Sequence, residues 1–161
     1  MLVLSRLNAT RYRGREPYVV ISIRSPGESL PKLRDDPFRV ARLNLIFDDW
    51  APSWGPDEAV LMSEEHASRL ANFLARHLPS TKHVVVHCQM GISRSAGVAA
   101  GILEALGESP SEFTQPPFDP NPHVRQIVRD ACRVQIAAKQ SEAHRLLTDV
   151  SALPKLTHPG R

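Results

Sequence analysis

The stretch HVVVHCQMGISRSAG, residues 83–97, constrains the fold of this chain more than any other segment. Its three successive valines show no alternation of apolar and polar positions, which is typical of a strand buried on both faces of a parallel sheet. After a short loop, residues 93–106 are apolar almost all round, which predicts a helix near the centre of the fold. Gly97 and Gly101 in this helix allow another element to approach closely.

Two further strands are predicted upstream. YVVISI, residues 18–23, is a β-branched run that ends at Ser25, Pro26 and Gly27, as a buried strand followed by a turn would. RVARLNLIF, residues 39–47, alternates apolar and polar positions. The segment DDWAPSWGPDEAVLM that follows is too rich in proline and glycine for regular structure, so we predict a loop there.

Helices alternate with these strands. Ser63 is predicted to cap an amphipathic helix that continues to Pro79, because the apolar residues after it repeat at helical spacing. A proline-rich loop, residues 109–122, leads to Asn121, which is predicted to cap a helix that has Pro122 at its first position. Cys132 is predicted to be a core residue of that helix. A separate last helix is predicted over residues 141–150.

This alternation predicts an α/β fold with a central, mostly parallel sheet flanked by helices. We expect one domain over residues 1–161, with a frayed tail from about residue 151. The apolar runs are short and interrupted by charge, so neither a signal peptide nor a membrane span is expected.

Composition limits which binding partners and which cellular location are expected. The net charge is only +3 and the basic residues form no dense block, so we expect no nucleic-acid partner and no membrane partner. Two cysteines make a poor disulfide framework, which favours a reducing, cytoplasmic location and leaves a Cys88–Cys132 disulfide as a remote alternative. We expect a monomer.

The loop between the predicted strand and helix, residues 88–94, is suited to bind an anion. Backbone N–H groups at the start of a helix converge on a negative charge, and Gly91 permits the tight turn that this requires. The same positive potential favours the thiolate of Cys88 over the thiol. Arg94 offers a planar fork that holds two phosphate oxygens, and Ser95 can donate its hydroxyl to the thiolate.

The segment HCQMGISRS resembles the signature of the protein tyrosine phosphatase superfamily: His-Cys, five residues, Arg, then Ser or Thr. The resemblance implies a cysteine-phosphatase architecture of the small, dual-specificity-like kind, with no metal and no cofactor. It makes Cys88 the nucleophile that forms a cysteinyl-phosphate, and Arg94 the residue that binds the phosphate and stabilises the transition state. His87 orders the loop around Cys88. The backbone cradle then comprises Gln89, Met90, Gly91, Ile92 and Ser93.

Some of these assignments have alternatives. A purely structural role is as compatible with the sequence for His87 and Ser95 as a functional one. Gln89 and Met90 replace the small residues that are frequent at these two positions in the family, which leaves the leaving-group preference open.

The family also uses a general acid on a separate loop, and IFDDWAP resembles the segment that carries it. By this resemblance Asp49 is the acid. Asp48 is the alternative, because neighbouring side chains on an extended segment point in opposite directions.

The predicted function is hydrolysis of phosphomonoesters: phosphotyrosine, with phosphoserine and phosphothreonine open. A second hypothesis is a phosphate-binding module without turnover, and a third is a phosphatase that acts on a non-protein phosphoester. Sulfurtransferases of the rhodanese kind and arsenate reductases resemble the chain less well, because the His-Cys and Arg-Ser flanks and the acid loop together favour phosphate transfer.

Overall fold

The computed structural model describes the backbone of residues 1–151 and the side chains of residues 1–141. Four parallel strands form one sheet in the order β1-β4-β2-β3, namely β1 (Leu2–Ser5), β2 (Tyr18–Arg24), β3 (Arg39–Ile46) and β4 (His83–Cys88). The helices are α1 (Arg6–Arg11), α2 (Glu64–His77), α3 (Arg94–Ala105) and α4 (Pro122–Ser151). The predicted α/β class, with a parallel sheet flanked by helices, is confirmed.

The first strand and helix were not predicted from the sequence. β1 is only four residues long and is followed at once by Arg6, so no periodicity identifies it. Its backbone pairs with β4, with Ser5 opposite Cys88. The Ser5 hydroxyl accepts a hydrogen bond from the backbone N–H of Asn8 at 3.2 Å and caps α1. β4 is therefore a central strand, covered on both edges.

The two faces of the sheet are covered differently. The helical face carries the main core, in which strand residues such as Ile21 and Val86 pack with Leu70, Val98 and Val124 of α2, α3 and α4. The other face is smaller, and its core includes Val20, Val85, Ala9 of α1 and Leu33 of the connection between β2 and β3. Neither face is exposed to solvent along its centre, which explains the unbroken valine run of β4.

The helices α2 and α4 begin where the sequence predicts. Ser63 and His66 form a reciprocal capping box at the start of α2, and Asn121 caps α4 through its side-chain oxygen, which accepts from the N–H of Val124 at 3.1 Å. Cys132 is a buried core residue of α4, as predicted. The separate helix expected over residues 141–150 is wrong: α4 continues unbroken through this segment to Ser151, because no proline or glycine interrupts it. A frayed tail was expected from about residue 151, and the residues beyond 151 lie outside the described part of the chain.

Among the described residues, no helix is both long enough and apolar enough to cross a membrane.

Two glycines of α3 set its distance from α4. A Cβ built on Gly97 would lie 2.9 Å from the backbone oxygen of Asn121, and one on Gly101 would lie 2.6 Å from the backbone oxygen of Arg125. The close approach that the sequence predicted is therefore present. It fixes α4, and with it the Asn121 cap, directly against the helix that begins at Arg94.

Replacing Gly101 by alanine tests this packing. In an ordinary helix interior the change stabilises a protein by about 1 kcal/mol. Here we expect it to lower the free energy of unfolding by about 1–3 kcal/mol, because the new methyl group meets backbone atoms of α4. Urea unfolding measures the change, and Ser68→Ala on the exposed face of α2 is the matched control. A gain in stability for Gly101→Ala would contradict the packing.

Candidate active site

The carboxyl ends of the four parallel strands bring four segments of the chain to one edge of the sheet. Cys88 ends β4, and the loop of residues 88–94 connects it to α3. Ser25 follows β2, Asp49 lies three residues beyond β3, and Arg6 follows β1. Open α/β sheets bind ligands at this edge, outside the carboxyl ends of their strands.

Cys88 is buried and is approached by one donor from its own loop and one from the first turn of α3. The N–H of Gly91 points at its Sγ at 3.3 Å, and the Oγ of Ser95 lies 3.1 Å from the same sulfur. Both groups stabilise a negative charge on the sulfur when they donate to it. The strand fixes Cys88, and the first turn of α3 fixes Ser95, so both residues are positioned by regular secondary structure.

The loop is supported from beneath by the junction of β1 and α1. Gly91 has a φ of +76°, and a Cβ on it would lie 2.5–2.7 Å from backbone atoms of Leu4 and Ser5. The backbone N–H of Arg6 donates to the carbonyl oxygen of Gln89 at 3.1 Å. Glycine is therefore required here by conformation and by space together. Met90 extends outward and is 68% exposed.

Arg94 is a charged side chain that is only 5% exposed. Its Nη1 donates to the backbone oxygen of Phe47 at 2.9 Å and to the Oγ of Ser25 at 3.0 Å. Its Nε is buried and has no hydrogen-bond partner among the described residues. A buried guanidinium with an unused N–H is costly unless an anion completes it, so the residue is arranged to bind one.

The two neighbouring aspartates point in different directions. The Oδ1 of Asp49 accepts from the Oγ of Ser93 at 2.7 Å, and its Oδ2 lies 3.9 Å from the Nε of Arg94. Asp48 instead turns into its own loop, where its Oδ2 accepts from the backbone N–H of Val60 at 3.0 Å. Of the two carboxylates, Asp49 is thus the one beside the loop of Cys88.

Asn121 links the loop that carries Asp49 to α4. Its Nδ2 donates to the Oδ1 of Asp49 and to the backbone oxygen of Trp50, both at 3.1 Å, while its Oδ1 caps α4. The sequence identified only the cap. No local signal indicates the second role, because the partners lie more than 70 residues away along the chain.

His87 lies on the other face of β4 and is 1% exposed. Its Nε2 is hydrogen-bonded to the hydroxyl of Ser22, which also accepts from the Nε of Arg42 at 3.1 Å. Burial and the nearby Arg42 guanidinium lower the pKa of His87 from 6.5 to about 4. The ring is therefore neutral at physiological pH. Ser22 and Arg42, like Ser25, were not identified from the sequence.

No cluster of three or more histidine, cysteine, aspartate or glutamate side chains suited to hold a metal ion occurs in the described residues.

Comparison with solved structures identifies the fold. Human DUSP28 superposes with a TM-score of 0.54 at 19% sequence identity, over 85% of this chain and 94% of that one. A mouse putative dual specificity phosphatase, solved as a complex with zinc tungstate, superposes with a TM-score of 0.51 at 18% identity, over 83% of this chain and 76% of that one. The chain has the fold of the dual-specificity phosphatases. No protein-family model matches the sequence, and neither does any curated protein.

The buried His87 predicts a pH dependence of stability. The unfolded chain takes up a proton on this residue as the pH falls below about 6.5, whereas the folded chain does so only near pH 4. Stability contributed by His87 is therefore complete above pH 6.5 and is lost as the pH falls to about 4, by on the order of 3 kcal/mol.

Urea unfolding between pH 7 and pH 4 measures this loss. We expect His87→Gln to remove much of the slope in this window, whereas His83→Gln, at an exposed histidine of the same strand, keeps it. Equal slopes for the wild type and His87→Gln would mean that His87 does not titrate as described.

Proposed function

We propose that this chain hydrolyses phosphomonoesters through a cysteinyl-phosphate on Cys88. The proposal rests on one observation above all: the buried guanidinium of Arg94 has an unused Nε beside Asp49, at the start of the helix that follows the Cys88 loop. A planar guanidinium suits the equatorial oxygens of a phosphoryl group in transfer. The fold shared with the dual-specificity phosphatases supports the same interpretation.

The first step transfers the phosphoryl group to sulfur. The Cys88 thiolate attacks phosphorus, the bond from phosphorus to the ester oxygen breaks, and the protonated carboxyl of Asp49 gives its proton to the leaving oxygen. Backbone N–H groups of residues 89–93 and the Arg94 guanidinium hold the remaining phosphate oxygens. Every group that this step needs comes from the chain itself.

The second step returns the enzyme to its starting state. A water molecule attacks phosphorus, the Asp49 carboxylate accepts the proton, and the sulfur–phosphorus bond breaks. The sulfur leaves as a thiolate, and the Ser95 hydroxyl at 3.1 Å is suited to donate to it. Inorganic phosphate then dissociates.

The substrate class that we propose is a phosphorylated protein, with phosphotyrosine as the first candidate. The exposed Met90 and the partly exposed Trp50, next to Asp49, offer apolar surface to the part of a substrate beyond its phosphate. An aromatic side chain would gain from such surface. We extend the proposal to a monomeric enzyme in a reducing, cytoplasmic setting, since Cys88 is free and has to remain reduced to act.

Substituting the nucleophile tests the proposal against a phosphate-binding module. We expect Cys88→Ser to abolish phosphate release from para-nitrophenyl phosphate, while it still binds phosphate. Cys132→Ala is the matched control and should retain activity, because burial raises the pKa of this thiol to about 11 and it lies on α4. Turnover that survives Cys88→Ser would show that the chemistry is not carried by this cysteine.

Substituting each aspartate separates the general acid from its neighbour. Wild-type turnover should follow a bell-shaped pH profile, because Cys88 acts as a thiolate and Asp49 acts protonated. Asp49→Asn should lower kcat by about 10²–10⁴-fold and remove the decline at higher pH. Asp48→Asn should keep the bell shape, since an amide oxygen can still accept from Val60. The reverse pattern would make Asp48 the acid.

A further inference from the structure

Three arginines from three different elements converge on one loop beside the candidate active site. The Nη2 of Arg6 donates to the backbone oxygen of Ser29 at 2.8 Å, the Nη1 of Arg24 to that of Glu28 at 2.5 Å, and the Nη1 of Arg42 to that of Pro31 at 3.0 Å. We call Arg6, Arg24 and Arg42 with residues 25–31 the arginine rim. Its side chains are held by backbone acceptors, so their positions are defined in advance of any ligand.

The positive charge of the arginine rim is poorly compensated. A carbonyl acceptor satisfies an N–H group but does not cancel a charge. The nearest carboxylate is that of Glu28, which lies 3.9 Å from the Nη1 of Arg6, too far for a hydrogen bond, and accepts from the N–H of Ser25 instead. Arg24 and Arg42 form no ion pair with any described residue. Each also has one buried nitrogen without a hydrogen-bond partner in the described chain, the Nε of Arg24 and the Nη2 of Arg42.

The arginine rim is in direct contact with the candidate active site. Ser25, at one end of its loop, is bonded to Arg94, and the backbone N–H of Arg6 holds the carbonyl of Gln89 in the Cys88 loop. The Arg6 side chain is 26% exposed, so its charge is accessible from solvent. Charge is also unevenly distributed along the sequence: residues 1–42 hold nine of the 20 lysines and arginines but only four of the 17 aspartates and glutamates.

We propose that the arginine rim is a second anion site, which binds a second phosphate group carried by the same substrate whose first phosphate reaches Cys88. The proposal rests on the proposed function only for the fate of the first phosphate. A phosphate is the anion that fits best, because it brings up to two charges and several acceptor oxygens to guanidinium groups that are already fixed in place. The preferred substrate is then one that carries two phosphate groups, the first of which is the phosphate that reaches Cys88.

Binding to the full-length Cys88→Ser protein tests the site without turnover. Calorimetric titration compares ethanediol, butanediol and hexanediol bisphosphates with the matching monophosphates. Two equivalent phosphates alone give a statistical twofold advantage, and a charged second contact should raise this to roughly tenfold for the linker that spans the two sites. The advantage should decline as salt is added. A ratio of two or less for every linker would overturn the proposal.

Substitutions on the arginine rim locate the effect. Arg6→Gln and Arg24→Gln in the same background should each reduce the ratio of bisphosphate to monophosphate affinity several-fold. Arg76→Gln, which removes a charge from the last turn of α2, is the matched control and should leave the ratio unchanged. An equal loss for all three variants would mean that net charge, rather than the arginine rim, is responsible.

Further measurements distinguish the possible sources of the anion, and they distinguish a failure of the arginine rim from a failure of the proposed function. Vesicles that carry a bisphosphorylated headgroup compare a surface-bound source with the free compounds. A phosphotyrosyl peptide in which glutamates flank the phosphotyrosine is compared with the same peptide carrying glutamines, to show whether carboxylates are sufficient. Tighter binding of the glutamate peptide, without tighter binding of the bisphosphates, would contradict a phosphate site. If the wild type hydrolyses nothing while the affinity ratio persists, the proposed function fails and the arginine rim stands. If the wild type hydrolyses phosphomonoesters but shows no affinity ratio, the proposed function stands and the arginine rim fails.

Discussion

The burial of one positive charge organises the end of the sheet that carries the candidate active site. Arg94 is almost completely enclosed, so its guanidinium has to be satisfied by groups that reach it from other parts of the chain. The backbone oxygen of Phe47 and the hydroxyl of Ser25 do so from the ends of two neighbouring strands. These two acceptors are neutral, and the Asp49 carboxylate lies 3.9 Å from the Nε, so the charge is only partly compensated within the described chain. Burying Arg94 costs free energy in the folded state, and a bound anion would offset that cost.

The loop that carries Asp49 depends on the same arrangement. Asp49 is held between Ser93, which precedes Arg94, and Asn121, which caps α4. α4 can bring Asn121 to this point only because Gly97 and Gly101 let the two helices approach closely. A substitution deep in the interface between α3 and α4 would therefore shift the Asp49 carboxylate, although it touches no group of the candidate active site.

How well each feature could be predicted from the sequence depends on how far apart along the chain its interacting residues lie. The valine run, the Ser63 cap and the helix that starts at Pro122 were predicted correctly, because each depends on neighbours within a few residues. The loop of Cys88 was selected as a candidate phosphate site because the residues that indicate it lie in one continuous segment. β1 was missed because four residues carry too little pattern, although β1 and the start of α1 support Gly91 and Gln89. The roles of Ser25 and Arg42 depend on residues that meet only after the sheet has formed, so no local pattern could show them.

Trapping the covalent intermediate tests whether Cys88 is the nucleophile. The Asp49→Asn protein, mixed with para-nitrophenyl phosphate and quenched in acid within the first turnover, should carry one phosphoryl group, since the variant lacks the base that activates water for the second step. Mass spectrometry of the digested protein should locate this group on the peptide that contains Cys88, with the thiol of Cys132 unmodified. A phosphoryl group on any other residue, or release of phosphate at full wild-type rate with no protein-bound phosphate at any time, would contradict the account.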